Sequence, residues 1–207
     1  MVANQITQKN RVHLNHKGAV MWITGLPCSG KTTLSEKLRL SLCHKNILAY
    51  IIDGDQIRKG LSSDLGFLKE DRSENIRRVG EVAKLFSGAG FVVIVALISP
   101  FREDRDKVRN NLGSDRFVEI YLDCPIEECE KRDVKGHYKL ARNGKMQDFT
   151  GVSSPYEPPL NPELSLRTNV NKVNNCVDEV ISYLVKFFGF FYYNFLILHS
   201  RRINNFL

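Results

Sequence analysis

The residues able to do chemistry begin with Gly25-x-x-x-x-Gly30-Lys31-Thr32, two glycines separated by four residues and followed by lysine and a hydroxyl. That pattern is a phosphate-binding P-loop when a strand precedes it and a helix follows. Glycine lets backbone N–H groups close on phosphate oxygens, and the helix aims its positive end at the same anion. Lys31 would set a compact charge on the β- and γ-phosphates, and the Thr32 hydroxyl would ligate Mg²⁺. Leu26, Pro27, Cys28, Ser29 and Thr33 complete the cradle. Asp53 and Asp55 follow a second apolar run, where a carboxylate could hold a metal-bound water or accept a hydroxyl proton. Asp53 could equally cap the helix after it. Arg58, Arg72 and Arg102 come from three further segments, and their guanidinium forks suit phosphate or sulfate oxygens. Phe67 and Phe149 stand in loops, where a ring can stack on a purine as readily as it packs on the loop.

The elements that must position these groups alternate. Residues 19–24 read as a buried strand and 31–44 as a helix with Leu34, Leu38 and Leu42 on one face. Residues 48–53 form a second strand. Asp71-Arg-Ser-Glu74 reads as a capping box that opens a helix to about residue 87. Its inward face carries Asn75, Val79, Val82, Ala83 and Phe86. Residues 91–99 have no polar alternation, as in a strand buried on both faces of a parallel sheet. A charged helix to about 111, a strand over 117–123 and a helix after Pro125 follow. Residues 164–170 suit a short edge strand, and Val177, Val180, Ile181 and Leu184 mark a last helix. Strands alternating with helices predict an α/β fold of three layers, a mostly parallel sheet flanked by helices. Ligands then gather at the carboxyl ends of the strands.

Residues 133–165 are basic and then rich in turn formers. A connection that long in a compact unit predicts a lid. Residues 1–18 read as a flexible leader. Residues 185–207 are an apolar extension whose aromatic and aliphatic run, from Tyr183 to Leu198, falls short of the roughly 20 apolar residues that span a bilayer. It suits a helix packed on the domain, an interface or a membrane-surface anchor.

The chain has 207 residues, 43% hydrophobic and 26% charged, with a net charge of +7. Those values describe one soluble domain with a substantial core. No dense basic run with interleaved aromatics precedes the C-terminus, so the excess charge is assigned mainly to small phosphorylated ligands, with no nucleic acid as partner and a membrane surface considered only for the apolar extension. Five cysteines without C-x-x-C and five histidines without zinc spacing argue against a disulfide framework or a zinc site. Reduced thiols in the cytoplasm are expected.

Taken together, the motifs resemble the adenylylsulfate kinase (APS kinase) family over residues 17–184. They are the P-loop, Asp53-Gly-Asp-x-x-Arg58, Asp64-Leu-Gly-Phe67, Asp71-Arg-x-x-Asn75-Ile-Arg-Arg78, Ile98-Ser-Pro-Phe-Arg102, Lys135-Gly-x-Tyr138, Phe149-Thr-Gly151 and Pro155-Tyr-Glu157. The resemblance implies ATP- and Mg²⁺-dependent phosphorylation of the 3′-hydroxyl of adenosine 5′-phosphosulfate in sulfate assimilation. It implies acceptor contacts at Asp55, Arg58, Phe67, Arg72, Asn75, Arg102, Lys135 and Phe149. Arg132 and the 133–150 segment would close over the nucleotides, and Asp53 would act at the 3′-hydroxyl or Mg²⁺. Ser99 matches a serine described in the family as a phosphoserine intermediate, although direct in-line transfer needs no covalent step. Homodimers occur in the family. Pro27 and Cys28 are less usual in the loop. His137 stands where a leucine is usual, and Ser153-Ser154 where an acidic pair is. The alternatives are another small-acceptor P-loop kinase, acting on a nucleotide or a sugar acid, and a nucleic-acid-binding or switch module without turnover.

Overall fold

The computed structural model describes residues 16–188. Most of the expected leader, and the apolar extension from residue 189, lie outside the described residues. The chain folds as β1 (Ala19–Thr24), α1 (Lys31–Cys43), β2 (Ala49–Asp53), α2 (Gly54–Ile57), α3 (Lys69–Gly88), β3 (Val92–Ala96), α4 (Arg102–Leu112), β4 (Phe117–Asp123), α5 (Ile126–Lys131), α6 (His137–Arg142), β5 (Leu164–Arg167) and α7 (Val173–Phe188). The five strands form one parallel sheet in the order β2-β3-β1-β4-β5.

The sheet is continuous because β1, apolar up to Thr24, and β3, apolar throughout, are buried on both sides. Their side chains alternate between two cores. Met21, Ile23 and Ile94 meet Leu34, Leu38 and Leu42 of α1 and Val177, Val180 and Leu184 of α7. Trp22, Val93 and Val95 meet Ile76, Val79 and Ala83 of α3 and Val108 and Leu112 of α4. Each such fully buried aliphatic stabilises by roughly 1.5–3 kcal/mol. This is the expected three-layer architecture.

Three local expectations change. Helix α3 starts before Asp71, at Lys69, with Leu68 at its cap and no side-chain cap. Glu74 is drawn instead to Arg77 and Arg78, by two charge-assisted bonds on the first guanidinium and one on the second, so no capping box forms. Strand β3 stops at Ala96, because Ser99 turns the chain with φ of 40° and the Thr24 hydroxyl takes the Ile98 carbonyl at 2.7 Å. Residues 137–142 of the expected lid form a helix of their own, α6. Among the described residues no helix is long and apolar enough to cross a membrane.

Candidate active site

Every strand's carboxyl end delivers a group to one edge of the sheet. After β1, the chain enters the P-loop at Gly25, with φ of 152°. A Cβ there would lie 2.8 Å from Ser29 Oγ and 3.0 Å from the Leu122 carbonyl, so only glycine fits without a shift. Gly30, with φ of 101°, caps α1. Lys31 curls back over the loop, and its Nζ donates to the Gly25 carbonyl at 3.0 Å and the Leu26 carbonyl at 2.6 Å. Burial lowers the Lys31 ammonium to about 8, while the negative groups around it, Asp53 and Asp55 among them, pull it back up. Cys28 takes the left-handed φ of 61°, a conformation that glycine adopts with less strain.

Asp53 ends β2, and β2 is not a neighbour of β1, because β3 lies between them. The carboxylate nonetheless reaches the loop. Its Oδ2 accepts from Thr32 Oγ1 at 3.2 Å, and its Oδ1 accepts from the Asp55 amide at 2.9 Å as the cap of α2. The capping alternative for Asp53 therefore holds on one oxygen, and the other oxygen meets the P-loop threonine. A hydroxyl and a carboxylate oxygen side by side are the hard donor set that Mg²⁺ takes, with phosphate and water completing the octahedron. The residues fit that ion.

On the other flank of the loop a cleft of about 450 Å³ is lined by Gly30, Lys31, Thr32, Arg132, Thr168 and Asn171. Arg132 donates to the Thr168 carbonyl at 3.0 Å and to Glu128 Oε1 at 3.1 Å. Thr168 in turn donates to the Ser29 carbonyl at 2.8 Å. Thr168 follows the edge strand β5 and carries no sequence signal, so its contact with the loop was not foreseen.

The second cluster lies beyond Asp53. Arg58 donates through Nη1 to the carbonyls of Leu65 and Gly66, at 3.2 and 2.7 Å, and sits 4.3 Å over the Phe67 ring. Arg72, at the buried start of α3, donates Nε to the Phe67 carbonyl at 2.8 Å and Nη2 to the Asp148 carbonyl. Its buried guanidinium thus ties the loop of Phe67 to the loop of Phe149. Among the described residues both arginines keep N–H groups without a bond, open to an anion. Asn75 is 4% exposed, and its Oδ1 has no hydrogen-bond partner among the described residues, a cost that a ligand would remove. Lys135 pairs with Asp55 at 3.3 Å on the exposed rim. Phe67 is 57% exposed, whereas Phe149 is half-buried and packs edge-on to Tyr138. Ser153, one of the unusual pair, accepts from the Phe149 amide at 3.0 Å and so shapes the turn that presents that ring. Among the described residues no bond draws Arg102 into this cluster. Its side chain donates to the Pro158 carbonyl at 2.6 Å, and its amide to Glu157 Oε2 at 2.9 Å.

Ser99 is 2% exposed, and its hydroxyl accepts from the Trp22 indole at 3.0 Å. The carbonyl of Ser99 accepts from Arg105 Nη1 at 2.6 Å. Arg105 is 1% exposed and also donates to Glu119 Oε1 at 2.7 Å and to the Glu157 carbonyl at 2.7 Å. Arg109 extends the network from Glu119, at 3.1 Å, to Glu163. Thr24 already donates to the Ile98 carbonyl, so Tyr156 O–H is the donor in the 3.0 Å bond between the two hydroxyls. The end of the 133–165 segment is therefore bolted to the ends of β1 and β3. The sequence reads α4 only as a charged helix and singles out none of Arg105, Arg109, Glu119 and Glu163. The available signal was Glu119, a lone carboxylate in the middle of an otherwise apolar strand.

Comparison with known proteins narrows what this arrangement belongs to. The family model for adenylylsulphate kinase matches residues 17–167. An adenylyl-sulfate kinase of Clostridium acetobutylicum is 55% identical over 181 residues, 87% of this chain and 90% of that protein. One of Staphylococcus epidermidis is 50% identical over 182 residues, 87% of this chain and 92% of that protein. Among solved structures, the Mycobacterium tuberculosis APS kinase in complex with AMPPNP and APS superposes with a TM-score of 0.77 at 41% identity, covering 82% of this chain and 98% of that one. A Sinorhizobium meliloti gluconokinase shares the fold alone, with a TM-score of 0.55 at 16% identity. The P-loop, the strand order and the motifs that surround them make this chain a member of the adenylylsulphate kinase family.

Proposed function

We propose that the protein transfers the γ-phosphoryl group of ATP to the 3′-hydroxyl of adenosine 5′-phosphosulfate. The observation that carries this is the pairing, along one sheet edge, of a complete phosphate loop with a second cluster of Arg58, Phe67, Arg72 and Asn75. That cluster offers what an anionic, nucleotide-like acceptor needs: guanidinium donors for phosphate or sulfate oxygens, a ring face for a purine and an unpartnered buried amide oxygen. Membership of the family supports the same acceptor.

In this reaction Gly25, Leu26, Pro27, Cys28, Ser29, Gly30 and Thr33 cradle the phosphates of ATP. Lys31 leaves its two carbonyls and neutralises charge on the transferred group. Thr32 and Asp53 would hold Mg²⁺, which when bound spreads the developing charge between the β- and γ-phosphates. Asp53 also lies where it can orient the 3′-hydroxyl. Arg132 and the cleft before Thr168 take the ATP side, and Asp55, Arg58, Arg72, Asn75 and Lys135 take the phosphosulfate side. Phe67 and Phe149 hold the acceptor's adenine between them. For Ser99 we favour an anchoring role, since its hydroxyl is engaged by Trp22 and in-line transfer needs no intermediate on it. For Arg102 we favour closure of the 133–165 segment through Pro158. All five cysteines are free thiols, in keeping with the cytoplasmic location we propose. A homodimer rests on the family resemblance, and light scattering checks it.

The experiment combines purified protein, ATP, Mg²⁺ and adenosine 5′-phosphosulfate, follows ADP release and weighs the product. Acceptor-dependent ADP with a 3′-phosphorylated product is expected. ADP that appears only with a nucleotide or a sugar acid as acceptor would overturn the assignment.

A further inference from the structure

The P-loop and the acceptor cluster are joined by an unbroken path of contacts that runs through one side chain. Tyr138 is 2% exposed, in the first turn of α6. Asp133 Oδ2 accepts from its amide at 2.6 Å, which fixes the start of that helix. Its hydroxyl donates to the Pro27 carbonyl in the P-loop at 3.1 Å. Its ring meets Phe149 edge-on, centroids 4.9 Å apart at 75°. The Asp148 carbonyl beside Phe149 is held by Arg72, whose Nε holds the Phe67 carbonyl. A second contact runs in parallel. Gly151 approaches Leu26 so closely that a Cβ on Gly151 would lie 2.9 Å from Leu26 Cδ2.

Two features make the path a mechanical link. Every member is buried or tied by a hydrogen bond, and packed interiors transmit displacement because they compress little. The P-loop end of the path is the part that must change when Lys31 leaves the Gly25 and Leu26 carbonyls for a phosphate, and Pro27 is the next residue along. We infer that Tyr138 is a positioning residue that couples occupancy of the P-loop to the aromatic site of the acceptor. It touches neither ligand, and it acts by setting Phe149 according to the conformation of the Pro27 peptide. This inference rests on the acceptor assignment above and adds which residue transmits the effect of the nucleotide.

The test is the factor by which AMPPNP changes the affinity of the full chain for adenosine 5′-phosphosulfate, measured by calorimetry with Mg²⁺ present. By linkage the phosphosulfate changes AMPPNP affinity by the same factor, which gives an internal check. Wild-type protein should bind the phosphosulfate more tightly with AMPPNP than without. Tyr138→Phe keeps the ring and removes the bond to Pro27, so the factor should fall by about two- to tenfold, the worth of one hydrogen bond. A purely structural tyrosine would lower the unfolding midpoint and leave the factor unchanged. Tyr138→Leu removes ring and hydroxyl and should bring the factor close to one. A measurement on wild type alone guards against a variant that fails to fold. AMPPNP by itself should slow amide exchange at residues 148–153, ten to fifteen residues beyond Tyr138 in the chain. An unchanged factor in Tyr138→Phe, a wild-type factor of one, or no change in that exchange overturns the inference. Absence of phosphosulfate-dependent ADP release from wild type would instead overturn the functional proposal, and that assay is run separately.

Discussion

Replacing Arg105 by methionine should destabilise the protein far more than a change in a charged helix ordinarily does. The guanidinium is 1% exposed and holds three oxygens at once: Glu119 Oε1, the Ser99 carbonyl and the Glu157 carbonyl. Removing one partner of a buried ion pair costs about 3–5 kcal/mol, because the other charge is left uncompensated. Arg109 still reaches Glu119 at 3.1 Å and relieves part of that cost. The two carbonyls lose donors at about 1 kcal/mol each, which restores it. We therefore expect a loss of about 4 kcal/mol, or about 10 °C in melting temperature for a chain of this size. The assay is urea unfolding followed by circular dichroism, with the midpoint read at an unchanged slope. The double variant Arg105→Met/Glu119→Gln should recover about 1–2 kcal/mol of the loss, since the stranded charge is gone. A single-variant cost below about 1.5 kcal/mol, or a double variant no more stable than the single, would refute the reasoning.

Three further outcomes are expected. Arg58→Ala should raise the KM for the acceptor more than that for ATP, since Arg58 sits over Phe67 and is remote from the P-loop in its bonds; equal changes in the two KM values would remove it from the acceptor site. Nucleotide affinity should fall by about tenfold between pH 7 and pH 9, because the free protein's Lys31 loses its proton near pH 8 while a bound polyphosphate holds it on. The sign is a loss with rising pH, accompanied by proton uptake on binding above pH 8. Calorimetry in buffers of different ionisation enthalpy checks it, and Lys31→Ala should bind ATP weakly, without that pH dependence, and transfer nothing. Cys28→Gly should stabilise the fold by about 0.5–1 kcal/mol, since relief of the left-handed strain exceeds the entropy cost of glycine. A lower urea midpoint in that variant would mean that packing of the thiol outweighs the strain.

Much of this protein is legible in its sequence because the signals are local. Gly25, Gly30, Lys31 and Thr32 announce a phosphate loop, since the backbone geometry that binds phosphate requires those types at that spacing. The apolar runs of β1 and β3 announce buried parallel strands, and the spacing of Leu34, Leu38 and Leu42 announces α1. Those elements, together with the family motifs, suffice for the α/β class and for the candidate site residues. What only the tertiary structure decided concerns groups brought together from far apart. The insertion of β3 between β1 and β2 is a choice of strand order that no local pattern carries, yet it sets how Asp53 reaches Thr32. Arg105 and Arg109 look solvated in sequence, because charged residues default to the surface. Arg105 is buried and Arg109 half-buried because Glu119, Glu163 and the carbonyls of Ser99 and Glu157 converge on them from three other segments. Tyr138 reaches Pro27 across 111 positions and Thr168 reaches Ser29 across 139. Contacts of that separation leave no periodicity behind, so their partners emerge only when the sheet closes and the chain ends of its strands meet along one edge.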